Sequence, residues 1–366
     1  MNKPSAIPSS LGFYLILLFS FSVSVFPAIS YYLAAGAFGV WLFQILIFRQ
    51  TGFISSPLFY PIAGLTVFSV IVWSLSSLYS YDNPVICVGL YSLFYFVIYS
   101  FVSSHEKRKM LIWTFLGGII LSVGIEILSN LESSAGVFPG SLILEEHLPT
   151  LLIMGFCLIV AMFAMASGIR EKLFYGLISL PLVAGVLISG YTITLITMIV
   201  LLAAGLIKEK SILIAAALIA IVVSTGLFGA KGEIITLFDR DNLTELVVRP
   251  IDDIGRNVEH ISNSGFFGSP GNDQTGESAP QERSFFISLI RHAGPPSLLL
   301  FLWVIFELAR RDLTKIRKLS EQEEKAYHLA TLIFMAIIIV ANIYGSYFSC
   351  SPAILGLWMF LGMAEI

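Results

Sequence analysis

Apolar segments of roughly 20 residues follow one another along almost the whole chain, separated by short breaks. A hydrocarbon layer offers no hydrogen-bond partner to the backbone, so a segment of this kind crosses a membrane as a helix. The chain has 366 residues, of which 57% are hydrophobic and only 12% are charged. Its mean hydropathy of +0.87 lies outside the range of soluble proteins. The sequence therefore predicts an all-α, polytopic transmembrane helical bundle.

The breaks, which are rich in proline, glycine and asparagine, divide the chain into about twelve spans. The predicted spans are 10–27, 30–48, 57–78, 84–103, 110–128, 148–168, 173–189, 191–207, 211–228, 285–307, 328–344 and 346–363. Spans one to nine thus occupy residues 1–228, a polar segment occupies 229–284, and spans ten to twelve occupy 285–366. The run 11–26 also resembles a signal peptide, but apolar sequence resumes at Tyr31 and favours an uncleaved first helix.

The distribution of lysine and arginine predicts the orientation of these spans. Cytoplasmic loops of membrane proteins are enriched in both residue types. With both termini cytoplasmic, all but six of the 21 basic residues fall on the cytoplasmic side. The remaining six are Lys231, Arg240, Arg249, Arg256, Arg283 and Arg291. The prediction is a multi-pass membrane protein with residues 229–284 as one large loop on the outer side of the membrane.

This loop carries the strongest functional signal, because five of the six outer basic residues are arginines. A guanidinium group stays charged when desolvated and forms two parallel hydrogen bonds to phosphate oxygens. Apolar residues repeat at helical spacing over 251–262, which predicts a short amphipathic helix within the loop. The alternative interpretation is that each arginine pairs with a carboxylate of the same loop, such as Asp239 or Asp252.

Polar residues also mark the entry to span ten. Glu282 and Arg283 precede the span, Arg291 and His292 lie about two turns into it, and Gly294-Pro295-Pro296 follow. Proline interrupts a helix and frees backbone groups, which at membrane depth requires protein or water nearby. The pattern predicts a short tilted segment beside an outward-facing vestibule, with snorkelling of Arg291 to the lipid headgroups as the alternative.

Several classes of function have no support in the sequence. No basic run interleaved with aromatic residues predicts nucleic-acid binding, and no cysteine or histidine spacing predicts a metal site. No glycine-rich nucleotide loop or catalytic triad pattern predicts a cofactor or a hydrolase. The three cysteines lie in apolar stretches and are expected to be packed thiols.

The loop and its flanks resemble the O-antigen ligase and O-antigen polymerase superfamily of bacterial envelope proteins. Arg249, the helix at 251–262 and Gly265-Phe266-Phe267-Gly268 are similar to the family's arginine, helix and glycine-containing turn. Residues 281–294, which run from Gln281 to Gly294, are similar to its closing motif. Arg283-Ser284 stands where ligases carry His-Asn, which favours polymerase-like members, and Tyr191 stands where the family often has arginine.

The resemblance implies a protein of the bacterial inner membrane whose large loop, residues 229–284, is periplasmic. It further implies a metal-independent glycosyltransferase that polymerises or transfers a glycan carried on undecaprenyl diphosphate at the periplasmic face. Arg249, Arg256, Arg283 and Arg291 would bind the lipid diphosphate, and Glu282 would act as the catalytic base. Membrane lipids and a chain-length regulator are the other expected partners, and no cofactor is expected. The alternatives are a transporter or flippase of lipid-linked or anionic solutes, and a non-catalytic relative of the family.

Overall fold

The computed structural model describes residues 6–49, 52–75, 84–133, 148–188, 285–344 and 352–365, and within them every regular element is helical. The all-α prediction is therefore confirmed for this part of the chain. A 3₁₀ turn spans Gly52–Ser55. The α-helices are α1 (Ala6–Val25), α2 (Pro27–Phe48), α3 (Phe59–Leu75), α4 (Pro84–Tyr91), α5 (Leu93–Phe101), α6 (His105–Ser133), α7 (Leu148–Met165), α8 (Ile169–Ile188), α9 (Phe285–Ala293), α10 (Pro295–Lys318), α11 (Gln322–Tyr344) and α12 (Pro352–Ala364).

Each predicted span that falls within the described ranges corresponds to one helix or to a pair of consecutive helices. The predicted spans 191–207 and 211–228 lie outside these ranges, as does the segment 229–284 with its predicted helix. Two helical segments, Pro27–Phe48 and His105–Leu128, are long and apolar enough to cross a membrane. The core helix of a soluble protein or a signal sequence can have the same length and composition. The number of membrane crossings therefore remains a prediction.

The described helices bury a continuous apolar core and also leave large apolar side chains on the surface. α1 packs against α2 and α6, α7 packs against α8 and α11, and α12 contacts α5 and α7. In the core, the ring centroids of Phe19 and Phe94 lie 4.8 Å apart, and Trp358 is fully buried. Tyr32 and Leu46, by contrast, are 80% and 75% exposed. Hydrophobicity alone therefore does not decide which face of a helix is buried.

Small residues and hydroxyl groups hold α1 against α6. The Ser20 hydroxyl donates to the carbonyl oxygen of Leu111 at 3.0 Å, and the Ser122 hydroxyl donates to that of Ser24 at 2.6 Å. At Gly118, a Cβ atom would lie 2.6 Å from the carbonyl oxygen of Phe21. Glycine and serine four residues apart are typical of apolar helix pairs whose backbones touch. The helices approach this closely because residue 118 has no side chain.

The predicted span 84–103 is divided into α4 and α5 at Ser92, which the sequence did not predict. The Ser92 hydroxyl donates to the carbonyl oxygen of Gly89 at 2.6 Å, and the Thr66 hydroxyl of α3 donates to the same oxygen at 3.0 Å. A Cβ atom at Gly89 would meet the Ser69 hydroxyl at 1.8 Å. Side chains that insert into a helical hydrogen-bond ladder are a recognised cause of a kink.

The expectation that all three cysteines are packed thiols is wrong for Cys87, which takes part in a disulfide bond near the beginning of α4. It is correct for Cys157, a free thiol that is fully buried in α7. Cys350 lies outside the described residues. Spacing could not separate these cases, because a disulfide depends on which residues meet in space.

The neighbouring glycines of α6 test the close approach of α1. Replacing Gly118 with alanine should lower the free energy of unfolding by about 1–3 kcal/mol, because the new methyl group forces the two backbones apart. Gly117 is the matched control, since a Cβ atom there meets nothing within 4 Å. Gly117→Ala should be neutral or stabilising, because alanine favours helix more than glycine does. Denaturation of the two purified variants would measure this difference, and equal stability would refute the close contact.

Candidate functional site

Of the residues predicted to form the site, the described part of the chain contains only Arg291, which lies in α9. Arg249, Arg256, Glu282 and Arg283 lie outside it, so their proximity to Arg291 remains a prediction. The break predicted after Arg291 and His292 is confirmed, because α9 ends at Ala293 and α10 begins at Pro295. The vestibule predicted beside this break remains untested.

The geometry of Gly294 separates α9 from α10. Its φ of 76° and ψ of 172° belong to a conformation that favours glycine, and Pro295 then begins the next helix. The Ser297 hydroxyl lies 2.6 Å from the carbonyl oxygen of Gly294 and 3.0 Å from that of Leu289, so its single hydrogen can donate to either backbone acceptor at the junction. The interruption is thus a defined, hydrogen-bonded junction.

α9 is anchored by one face and carries charge on another. Phe285, Ser288, Leu289 and Ala293 are buried, and the helix packs against α4, α10 and α11. The ring of Phe285 lies 5.6 Å from that of Phe301 in α10. By helical periodicity, Arg291 projects away from this buried face. Its place in the last turn of α9 is favourable, because a cation there complements the helix dipole.

The described residues also form an ionic cluster that the sequence did not predict. It joins the start of α6 (His105, Arg108 and Lys109) to the start of α11 (Glu323, Glu324 and Tyr327). The Arg108 guanidinium lies 3.1 Å from the Glu324 carboxylate and 4.7 Å from the centre of the Tyr327 ring. The Lys109 ammonium lies 3.2 Å from the Glu323 carboxylate. Arg108 is only 1% exposed and Glu324 is 26% exposed, so this pairing is partly shielded from water.

The electrostatics of the ionic cluster follow from its position at two helix N-termini. Glu323 and Glu324 are favourable in the first turn of α11, whereas basic residues in the first turn of α6 are not. The carboxylates of Glu323 and Glu324 offset this unfavourable placement, because they form ion pairs with Lys109 and Arg108. Burial raises the pKa of Glu323, but hydrogen bonds from Tyr327 and Lys109 outweigh burial and lower the pKa below its usual value. Burial and the hydrogen bond to Glu323 raise the pKa of Tyr327.

A second pair of ionisable groups is completely enclosed between α10 and α11. Asp312 Oδ1 lies 2.7 Å from His328 Nδ1, and the two side chains are 0% and 3% exposed. Burial raises the pKa of the Asp312 carboxyl, and the lowering effect of His328 only partly offsets it. A buried acid is stable only with such a partner. The pair therefore fixes the register of the α10–α11 hairpin.

The end of the described chain is attached to the same region. Glu365 forms ion pairs with Arg311 and Lys315 of α10. The Lys315 ammonium also donates to the carbonyl oxygens of Ala364 and Glu365, each at 3.3 Å. Burial lowers the pKa of Lys315, although the Glu365 carboxylate opposes that shift. These contacts hold the C-terminal end of α12 against α10.

A cavity of about 170 Å³ opens beside the ionic cluster. Its polar lining comes from Ser167, Glu171, Tyr175, Gln322 and Glu323, and methionine and alanine side chains complete the wall. Glu323 is already paired with Lys109 and Tyr327, so the lining offers Glu171 as its remaining acid. Within the described ranges, no three histidine, cysteine or acidic side chains are grouped to hold a metal ion. The contacts in this region support a structural role.

The ionic cluster could not be predicted from the sequence, because Arg108 and Glu324 are separated by 216 positions. The sequence contains one indication of the ionic cluster: Lys107-Arg108-Lys109 and Glu323-Glu324 lie on the same predicted side of the membrane. In the sequence, Arg108, Arg311 and Lys315 indicate only the orientation of the spans, because they belong to the basic residues on the predicted cytoplasmic side. The structure shows that they are also ion-pair partners.

Neither a protein-family model nor a curated protein sequence matches this chain. The resemblance to the O-antigen ligase and polymerase superfamily therefore rests on the motif positions in the sequence alone.

The Arg108–Glu324 pair can be tested against a solvent-exposed pair of the same type. Replacing Arg108 with alanine should lower the free energy of unfolding by about 3 kcal/mol, because it leaves Glu324 partly buried without its partner. Arg310 pairs with Glu307 on the surface of α10 and is 61% exposed, so Arg310→Ala should leave stability unchanged. Chemical denaturation of both variants provides the measurement. A loss of stability that is equal in the two would contradict the assigned importance of Arg108.

Proposed function

We propose that this chain is a polytopic protein of the bacterial inner membrane with both termini in the cytoplasm. The apolar surface of the described helices supports this proposal. Leu177, Leu299 and Phe306 are each at least 65% exposed, although water strongly disfavours such exposure on a contiguous surface. The Arg108–Glu324 and Lys315–Glu365 ion pairs lie at helix ends that the charge distribution assigns to the cytoplasm. Such a pattern matches an apolar belt next to an aqueous face.

The disulfide bond of Cys87 supports the proposed orientation independently. Cys87 lies near the beginning of α4, which the charge pattern assigns to the periplasmic side of the membrane. Disulfide bonds persist in oxidising compartments such as the periplasm and are rare in the cytoplasm.

Differential alkylation tests this orientation. Cells are denatured with excess N-ethylmaleimide, which blocks free thiols, and then reduced and treated with a polyethylene-glycol maleimide. The wild-type protein should acquire the polymer only after reduction, because only a disulfide protects cysteine from the first reagent. Cys87→Ser should acquire none, and the control Cys157→Ser should behave like the wild type. A wild-type protein that acquires no polymer after reduction would count against the proposed orientation.

We propose further that the protein is a glycosyltransferase that polymerises or transfers a glycan carried on undecaprenyl diphosphate at the periplasmic face. The observation that carries this proposal is the interrupted helix α9–α10. A short helix with Arg291 in its last turn directly follows the arginine-rich segment 229–284, and it stops at Gly294. Interrupted helices in membranes place helix ends and charges where protein or water can satisfy them. The junction of α9 and α10, with Arg291 beside it, is therefore a suitable binding position for an anionic lipid headgroup.

The chemistry would proceed by displacement at the sugar carbon that carries the lipid diphosphate. The acceptor hydroxyl forms the new carbon–oxygen bond and transfers its proton to Glu282, which acts as general base. The bond to the diphosphate breaks, and its electron pair leaves with the diphosphate. Arg249, Arg256, Arg283 and Arg291 would stabilise the negative charge that develops on this leaving group. Four guanidinium groups can do this without a metal ion.

Glycan length on the cell surface tests the proposed site. Arg291→Ala and Glu282→Gln should each reduce polymer formation by roughly 10²–10³-fold, because each removes one group that stabilises the transition state. Arg291→Lys should retain part of the activity, since lysine keeps the charge but not the planar fork. Gel analysis of the surface glycan provides the measurement, with immunoblotting to confirm equal protein levels.

Arg310→Ala is the control for this experiment, because it removes an exposed arginine on the proposed cytoplasmic side. It should leave the glycan unchanged. Long-chain glycan of normal length in both Arg291→Ala and Glu282→Gln would eliminate the proposed site. An activity assay of the purified protein with a lipid-linked oligosaccharide then distinguishes an enzyme from a non-catalytic relative. Only the enzyme lengthens or transfers the glycan.

A further inference from the structure

A second cavity, also of about 170 Å³, lies between α2, the 3₁₀ turn and α5. It contains none of the residues of the ionic cluster or of the predicted site. Its lining carries no charged side chain and combines aromatic, amide and hydroxyl groups. The lining residues are Trp41, Gln44, Ile45, Gly52, Phe53, Tyr99 and Ser100.

Gln44 gives this cavity its chemical character. The side chain is only 3% exposed, yet it makes no hydrogen bond with any residue that the structure describes. Its amide therefore faces the cavity with both a carbonyl acceptor and an NH₂ donor available. Neither amide atom belongs to the buried polar atoms that lack a partner, so both remain accessible from the cavity. A bound molecule with hydroxyl groups can therefore bond to them in place of water.

The walls of the cavity are held in place without a ligand. The indole N–H of Trp41 donates to the Ser100 hydroxyl at 3.0 Å, which leaves the hydroxyl hydrogen of Ser100 free to donate. The Trp41 ring lies 5.2 Å from that of Phe53 in an edge-to-face arrangement and stacks on Phe96 at 6.5 Å. The Tyr99 ring stacks on Tyr95 at 6.2 Å. Prearranged walls reduce the entropy lost on binding.

The lining selects the chemical class of the ligand. Without a cationic group it does not favour phosphate, and without an anionic group it does not favour a simple ammonium ion. Aromatic walls with a few placed donors and acceptors are typical of sites that bind a compact ligand with apolar and polar faces. An uncharged sugar ring has this character, since its C–H groups cover one face and its hydroxyl groups point from its edge.

We propose that this cavity binds the uncharged hexose ring of a free sugar or of a glycolipid. Gln44, Ser100 and Tyr99 supply hydrogen bonds to the ring hydroxyls, and Trp41 and Phe53 supply apolar contact. This inference does not depend on the proposed glycosyltransferase activity, because it concerns different residues at the other end of α2 and α5 from the predicted periplasmic loop.

Ligand-observed NMR on the full chain in an anionic polyacrylate amphipol tests the proposal, because this polymer contains neither sugars nor ammonium groups. Methyl β-glucoside and octyl β-glucoside below its micelle concentration present the same ring without and with an alkyl chain. Saturable binding of both identifies a site for the free sugar, and binding of octyl β-glucoside alone identifies a glycolipid site. Either result supports the proposal if the cavity variants abolish it, and saturable binding of neither probe overturns it.

Two variants and one control assign any binding to this cavity. Gln44→Leu removes the amide and changes the size of the side chain little. It should weaken binding at least about tenfold, because hydrogen bonds worth about 1.4 kcal/mol are lost. Gly52→Leu should block binding, because Gly52 lines the cavity and a side chain there meets open space. Gly39→Leu is the control, since Gly39 is an exposed residue of α2 with equally open space.

Binding that persists in both Gln44→Leu and Gly52→Leu would overturn the proposal. Ethanolamine distinguishes the main competing chemistry, because aromatic walls also attract ammonium groups. Ethanolamine that displaces the glucosides, and that binds more tightly after Gln44→Glu, would show a cation site instead. A thermal denaturation curve for each variant confirms that the loss of binding does not reflect unfolding.

Discussion

The structure depends most on one constraint: polar groups that lie among apolar helices have to find their partners within the chain. The serine hydroxyls between α1 and α6 bind backbone carbonyl oxygens, as do Thr66 and Ser92 at the junction of α4 and α5. Asp312 Oδ1 and His328 Nδ1 are hydrogen-bonded inside the α10–α11 hairpin. Because an unpaired buried polar group costs about 1–3 kcal/mol, each of these contacts restricts how the helices can be arranged.

Charge divides the described molecule into two regions with different roles. The ionic cluster and the contacts of Glu365 join the ends of α6, α10, α11 and α12 through paired groups. Arg291 lies in an interrupted helix next to the segment that carries the remaining predicted site residues. Ion pairs between helix ends stabilise a fold, and a cation at a helix interruption beside further predicted arginines suits recognition of an anion. For this reason the proposed activity is assigned to the α9–α10 region.

The sequence predicted the helical elements better than it predicted their interruptions or their contacts. Apolar length and turn residues located each described helix, because burial of backbone groups in apolar surroundings leaves helix as the available structure. Gly294-Pro295 also predicted the end of α9, since proline lacks the donor that a continuous helix needs. The division at Ser92 was missed, because it depends on the Thr66 hydroxyl of another helix. The disulfide bond of Cys87 was missed for a similar reason.

By itself, the sequence determined the helical class, the positions of the described helices and the break that precedes α10, since these follow from local hydrophobicity and backbone chemistry. The tertiary structure alone decided that Arg108 meets Glu324, that Gly118 rather than Gly117 contacts α1, and that Gln44 faces a cavity without a partner. These features join residues far apart in the chain. No local pattern encodes them, because the same apolar and polar residues on a helix are compatible with many neighbours until packing selects one.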